Sequence, residues 1–272
     1  MLKNRYYDVI ISISDPKTSH IAMKNLISQG LNYGKWIQYW GDPMTNDITN
    51  KSLYPKWYIA RKEYSLLKNA DDIVYVSPFT LKLQKSLFPS IANKMHFIPI
   101  PYLKQKNFPK QKNKKFTIGY YGAYKSKVRN IMPLYKSCIK LGGQIHLDII
   151  GDSDLSLSET KNINIYPRGD ISSYEEKVDL LVCILNSSGT QIPGKIYHYA
   201  ATNKPILIIL DGNKKEEMRQ YLDSFDRYIM CDNNVNSITT TITEIMSSND
   251  EYEPCKDFEP ETIAQRFINL VN

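Results

Sequence analysis

The sequence predicts an α/β fold of two parallel-sheet domains, and three observations carry that expectation. Short apolar runs alternate with helical patterns along the whole chain, which means βαβ units with helices on both faces of a parallel sheet. The runs are rich in Ile and Val and nearly continuous, as strands buried on both faces are. A basic segment without hydrophobic periodicity, LKQKNFPKQKNKK (103–115), divides the chain. The expected parts are an N-terminal domain over 1–103, a basic linker over 104–115 and a C-terminal domain over 116–272. The last helix is expected to pack back on the N-terminal domain. Ligands of such sheets bind beyond the C-terminal ends of the strands.

In the N-terminal part, DVIISIS (8–14), WIQYW (36–40), DIVYVS (72–77) and HFIPIP (96–101) read as strands, and 19–29, 54–69 and 78–88 as helices. Ser77 directly precedes Pro78, so Ser77 suits an N-cap and Pro78 the first turn. In the C-terminal part the strands are FTIGYYG (116–122), IHLDIIG (145–151), INIYP (163–167), LLVCILN (180–186), PILIILD (205–211) and RYIMCD (227–232). Helices are expected near 129–141, 173–177, 194–203, 214–224, 235–248 and 260–271.

The 272 residues are 42% hydrophobic and 23% charged, which suits a globular chain with a core in each part. No run of about 18 apolar residues occurs, and the start lacks a signal-peptide pattern, so a cytoplasmic protein is expected. The four cysteines form no CxxC pair, and free buried thiols are expected rather than a zinc site or disulfides. The net charge of +7 divides into +6 over 1–103, +6 over 104–115 and −5 over 116–272. That asymmetry points to an anionic partner for one half, with a solvated basic surface as the alternative. Nucleic acid is not expected, because the bases are scattered and no Arg-rich helix occurs.

Three strand ends carry the chemistry. Gly122 ends the first C-terminal-domain strand where the chain must turn. A missing side chain there lets backbone N–H groups approach a phosphate, and Lys125, Lys127 and Arg129 follow at an expected helix start. The alternative is a tight turn with solvated bases. Gly151 ends the second strand, before Asp152-Ser153-Asp154. This pair resembles the DxD pattern of metal-dependent sugar transferases of another fold, but no third carboxylate or His supports divalent coordination, and a polar loop is expected. The third end is TQIPGKIYHYA (190–200), followed by Asn203-Lys204-Pro205. Its glycine-containing loop opens a helix at Lys195, a compact cation suited to a phosphate oxygen, and His198 lies about one turn later on the same side. An ordinary helix start with a solvated lysine is the alternative.

Residues 116–211 resemble the donor domain of family 4 glycosyltransferases, which are retaining enzymes with two Rossmann-like domains facing across a cleft (the GT-B fold). The likeness lies in Gly119 and Gly122 at a strand end, the following Arg129, the second strand ending at Gly151, and Pro193-Gly194-Lys195 through Tyr199-Ala200 and Lys204-Pro205-Ile206-Leu207. The resemblance implies that Arg129 and Lys195 hold a donor diphosphate. It places Gln191, Ile192 and Pro193 along the donor sugar pocket and Arg168 near the base. With Gly122, Lys127, Gly151 and His198 these make the expected donor site. His198 stands where the family commonly has a ribose-binding Glu, and an imidazole cannot accept two hydrogen bonds as a carboxylate does.

DVIISISDPKTSHIAMKNL, WIQYWGDPMTND and EYSLLKNADDIVYVSPFT resemble the later half of that family's acceptor domain. Further βα units precede this point in full-length relatives, so a shortened N-terminal domain is expected. Asp42, after a strand end, is the candidate carboxylate for orienting an acceptor hydroxyl or the donor sugar; a turn residue before Pro43 is the alternative. His20 reads as structural, and Trp36, Trp40 and Trp57 as packing residues.

The resemblance implies transfer of a sugar from a nucleotide sugar to a saccharide or lipid-linked acceptor in surface polysaccharide, O-antigen or capsule synthesis. It implies no metal and no cofactor, with Lys195, Arg129 and helix N–H groups stabilising the leaving diphosphate. The basic half would contact an anionic membrane at its inner face, and a homo-oligomer or partner subunit is compatible with the sequence. The rival readings are an inactive or partner-dependent subunit, and a sugar-nucleotide epimerase of the same fold. A dinucleotide oxidoreductase is set aside, because residues 8–20 hold no glycine.

Overall fold

The computed structural model describes residues 5–48, 52–110 and 113–272. The chain divides into two compact units. One comprises Met1–Ile100, Gly189–Ile192 and Glu261–Asn272, the other Pro101–Ser188 and Pro193–Pro260.

The first unit is built from β1 (Tyr6–Ile13), α1 (Thr18–Ser28), β2 (Asn32–Trp40), α2 (Lys56–Leu67), β3 (Asp72–Tyr75), α3 (Pro78–Leu87) and β4 (Met95–Phe97). The strands pair in the order β1-β2-β3-β4, all parallel. Alternation along β2 sorts its side chains to two faces. Trp36 and Trp40 pack with Leu66, Leu67 and Met95 on one face, while Ile37 and Tyr39 pack with Val74, Ile98 and Ile263 on the other. Ile263 lies on the last helix, α9 (Pro260–Val271), whose Phe267 meets Tyr39 edge-on. Ser77 caps α3 by accepting from the Thr80 N–H at 3.3 Å, with Pro78 in the first turn. His20 is fully buried, 2.7 Å from the Ser12 hydroxyl and stacked on Trp40, and burial lowers its pKa to about 4. It packs the unit, as a structural histidine does.

Two expectations need correction here. HFIPIP contracts to the three residues of β4, because Pro99 and Pro101 cannot donate to a ladder. Trp57 does not pack the unit as Trp36 and Trp40 do; it is 68% exposed, since the inward side of α2 is taken by Glu63, Leu66 and Leu67.

The second unit holds β5 (Phe116–Tyr121), α4 (Met132–Leu141), β6 (Ile145–Ile150), β7 (Ile163–Tyr166), α5 (Ser172–Lys177), β8 (Leu180–Ile184), α6 (Lys195–Tyr199), β9 (Ile206–Leu210), α7 (Lys215–Asp223), β10 (Ile229–Asp232) and α8 (Val235–Ser247). Its six parallel strands run β10-β9-β8-β5-β6-β7. Every residue of β8 and β9 is buried. Each large aliphatic side chain so buried contributes about 1.5–3 kcal/mol, which makes this pair the anchor of the sheet. The chain builds outward from β5 through β6 to β7, then returns to β8 on the other side of β5. The strand order therefore reverses between β5 and β8, and ligands of open parallel sheets bind at such a reversal.

The helix expected over 194–203 is only α6, five residues long, and the helix expected from Arg129 starts at Met132 with Pro133 in its first turn. The basic stretch 104–115 is, over its described residues, bonded into the second unit. Lys106 N–H donates to the Ala201 carbonyl at 2.8 Å, and Phe108 N–H to Asn203 Oδ1 at 2.9 Å. All four cysteines are buried free thiols.

Candidate functional site

The reversal between β5 and β8 opens into two neighbouring cavities of the second unit. The smaller, about 70 Å³, is lined by Tyr121, Gly122, Arg129, Cys183, Pro193 and Lys195. The larger, about 460 Å³, lies toward β6 and β7 and is lined by Gly122, Ala123, Gly151, Arg168, Asp170 and Lys195. Lys195 borders both, which makes it the pivot of the site.

Glycine at 151 is a steric requirement. A Cβ there would overlap the Gly122 carbonyl and come within 3.2 Å of the Ala123 nitrogen. The two strand-end loops therefore touch backbone to backbone, and the turn of β5 stays open. The Gly122 N–H donates to the Ile150 carbonyl at 2.9 Å. That group is thus committed to the sheet. In α6 the Ile196 N–H donates to the Pro193 carbonyl at 3.0 Å and the His198 N–H to the Gly194 carbonyl at 3.1 Å, so these groups close the short helix on its own turn.

The cations are held by a residue that the sequence did not single out. Glu175 of α5 is 1% exposed. Its carboxylate lies 2.7 Å from Lys106 Nζ, 3.1 Å from His198 Nε2 and 3.8 Å from Lys195 Nζ. Burial alone would raise its pKa, but the hydrogen bonds and charges of His198 and Lys106 outweigh that and bring it down to about 2. Burial lowers the Lys195 pKa, and the Glu175 charge opposes the shift. Lys195 also sits 5.4 Å from the Tyr199 ring centre. An ammonium so placed keeps one face toward the cavities while its stem is fixed.

Arg129 reaches the small cavity from the loop before α4, not from the helix start. Its Nε donates to Asn186 Oδ1 at 3.0 Å and its Nη1 to the Ala123 carbonyl at 3.1 Å. It therefore ties the loop after β8 to the loop after β5. Arg168 lines the larger cavity, is mostly exposed, and lies 3.9 Å from Asp152. Lys127 is exposed and lines neither cavity. The Asp152–Asp154 pair is split: Asp154 accepts from the Ser126 N–H at 2.7 Å and from its hydroxyl at 3.0 Å.

In the first unit, the loop after β2 carries Asp42. Glu63, fully buried, fastens this loop by accepting from the Met44 and Thr45 N–H groups at 2.8 and 2.9 Å. Gln191 is buried against the same loop. Its Nε2 donates to Asp42 Oδ1 at 2.6 Å, and its Oε1 accepts from the Ile48 N–H at 3.0 Å. The Thr190 carbonyl accepts from the Ser77 hydroxyl at 2.6 Å and the Thr80 hydroxyl at 3.1 Å. Gln191 and Ile192 thus group with Asp42 in the first unit, and Pro193 with Lys195 in the second. Burial raises the Asp42 pKa, Gln191 lowers it, and the nearby Asp47 and Asp15 raise it further. A cavity of about 320 Å³ lies beside this loop, lined among others by Thr45, Asp47, Tyr54, Lys56 and Thr190.

Glu175 was missed because SSYEEK offers two adjacent glutamates at an exposed-looking helix. Only the helix phase, set by packing, turns one of them inward. Asn186 at the end of the LLVCILN run carried a weak signal, a polar residue closing a buried strand at a ligand edge.

No protein-family model matches the chain, and no curated protein sequence matches it either. Solved structures do match, and they define a class: the fold is that of GT-B glycosyltransferases. A sucrose-phosphate synthase from Thermosynechococcus elongatus is 15% identical with a TM-score of 0.65, over 97% of this chain and 73% of that one. HepE from Anabaena, solved with UDP and glucose, is 11% identical with a TM-score of 0.65, over 97% and 77%. The lipopolysaccharide outer core galactosyltransferase WaaB is 11% identical with a TM-score of 0.61, over 97% and 74%. Two longer neighbours are spanned over 54% and 56% of their lengths.

Proposed function

We propose that this protein is a nucleotide-sugar-dependent glycosyltransferase, metal-independent and retaining, that builds a surface polysaccharide on a saccharide or lipid-linked acceptor. The observation that carries the reading is Lys195, held on a buried carboxylate and bordering both cavities where the strand order of the second unit reverses. The donor diphosphate binds there. When the bond from the sugar's anomeric carbon to the diphosphate oxygen breaks and a bond to the acceptor oxygen forms, negative charge grows on the diphosphate, which takes up the proton that the acceptor hydroxyl gives up. Lys195 and Arg129 stabilise the growing charge, and fixed charges do so without reorganising. Gly122, Gly151, Arg168 and Pro193 shape the donor pocket, and His198 meets the ribose side. Lys127 supplies long-range attraction.

Asp42, with Gln191 against it, orients the acceptor hydroxyl. The reading draws support from HepE, whose structures hold UDP and UDP-glucose, and from WaaB, a lipopolysaccharide galactosyltransferase. Among the described residues no helix is long and apolar enough to cross a membrane. A lipid-linked acceptor would be met at the cytoplasmic face of an anionic bilayer, where basic groups of the first unit would meet its headgroups. The test is transfer of radiolabelled sugar from UDP-, GDP-, ADP- and dTDP-sugars to a bacterial lipid extract. Label entering the lipid phase, and lost with Lys195→Ala, supports the reading; no transfer from any donor contradicts it.

A further inference from the structure

We infer that the exposed face at the start of α2 docks on the headgroup region of an anionic lipid bilayer. Leu53, Tyr54 and Trp57 are 101%, 65% and 68% exposed. Trp57, Tyr58 and Arg61 follow the spacing that lines one side of α2, and Tyr54 lies just before its N-cap Pro55. The opposite side is fixed in the core by Glu63, Leu66 and Leu67, so the exposed side is presented rigidly. The aromatic rings form one cluster: Tyr54 and Tyr58 lie 5.1 Å apart, and Trp57 meets Tyr58 edge-on at 5.9 Å. Lys62 stands over the Tyr58 ring at 5.4 Å.

Lys56, Arg61 and Lys62 are exposed on the same segment, and no acidic residue occurs from Ser52 to Lys62. Tyr and Trp are apolar bodies with a polar handle, suited to a boundary that is oily on one side and wet on the other. Each neighbouring Lys or Arg adds roughly fivefold in affinity for an anionic surface. A second copy of this chain fits poorly, because two such faces would oppose like charges. Tyr54 and Lys56 also line the cavity beside the Asp42 loop, so a docked protein would hold that cavity next to the bilayer. This placement deepens the lipid-linked-acceptor reading and rests on it for its purpose. Its test needs no sugar transfer, so failure of one is told apart from failure of the other.

Trp36 and Trp40 are fully buried, which leaves Trp57 as the tryptophan whose emission can respond to a surface. Vesicles of phosphatidylcholine with about a third phosphatidylglycerol should shift the emission to shorter wavelength and carry the protein down on sedimentation. Pure phosphatidylcholine vesicles should do neither. Trp57→Phe should remove the shift while sedimentation persists. Joint change of Leu53, Tyr54 and Trp57 to Ser, or of Lys56, Arg61 and Lys62 to Glu, should lower vesicle binding at least tenfold. These residues are exposed, so circular dichroism should remain that of the parent. No binding to the anionic vesicles, binding unchanged in both triple variants, or a protein dimer that Trp57→Ser dissolves would overturn the inference.

Discussion

The two strand-end loops treat charge in opposite ways. In the second unit Lys106, Lys195 and His198 converge on one buried carboxylate, Glu175, and the cavities beside it are bordered by Lys195, Arg129 and Arg168. In the first unit carboxylates dominate, and Asp42 is held against Gln191 with Asp47 and Asp15 nearby. The first arrangement suits an anion that gains charge during reaction. The second suits a group that must accept a hydrogen bond. A binding role in one unit and an orienting role in the other should therefore separate under mutation.

The largest effect is expected at Lys195. Lys195→Ala should lower the transfer rate roughly 10²–10³-fold, as loss of a donor aimed at developing charge does. It should weaken nucleotide-sugar affinity roughly tenfold to a hundredfold. Asp42→Asn should sharpen the contrast by lowering transfer roughly a hundredfold through lost orientation, while calorimetry finds donor affinity unchanged. Equal loss of donor affinity in both variants would break the division of roles.

Glu175→Gln comes next and reads out in stability. Removing the carboxylate charge leaves two lysines and His198 around a neutral amide. The cost is about 2–3 kcal/mol, below that of a fully buried pair because the cations are partly exposed. Thermal melting measures it. The pH dependence follows from the lowered pKa of Glu175. Its stabilisation is fully present above the ordinary carboxylate value near 4.5 and is lost as pH falls through about 2. Within that acid window the melting temperature of Glu175→Gln should fall less steeply than that of the parent.

How much of this was readable in the chain differs between the two ends as well. Ser77-Pro78 fixed a helix start by local chemistry, and capping needs no partner beyond its own turn. The continuous apolar runs of β8 and β9 announced a buried sheet for the same local reason. Gly151 and Lys195 stood out because strand-end glycine and a loop lysine are local signals too. Glu175 did not, since its inward orientation depends on α5 packing beside β5 and on Lys106 arriving from the basic stretch. Trp57 misled, because hydrophobicity predicts burial only when a helix has room on its inner side. Gln191 was legible as a site residue, but its engagement with Asp42 comes from residues 149 positions apart.

Two smaller effects refine the comparison. Gly151→Ala should cost about 1–3 kcal/mol through overpacking against the Gly122 carbonyl, and melting together with donor titration would register it. Gln191→Ala removes the hydrogen bond that lowers the Asp42 pKa. The acid limb of the transfer-rate profile should then move to higher pH, with donor affinity at neutral pH unaltered.

The central claim is that the strand reversal of the second unit binds a nucleotide sugar through Lys195. Calorimetric titration with UDP-, GDP-, ADP- and dTDP-sugars, parent against Lys195→Ala, tests it most directly. Binding of one donor by the parent, weakened at least tenfold in the variant, is the predicted result. Binding of no donor, or equal binding by both proteins, would contradict the claim.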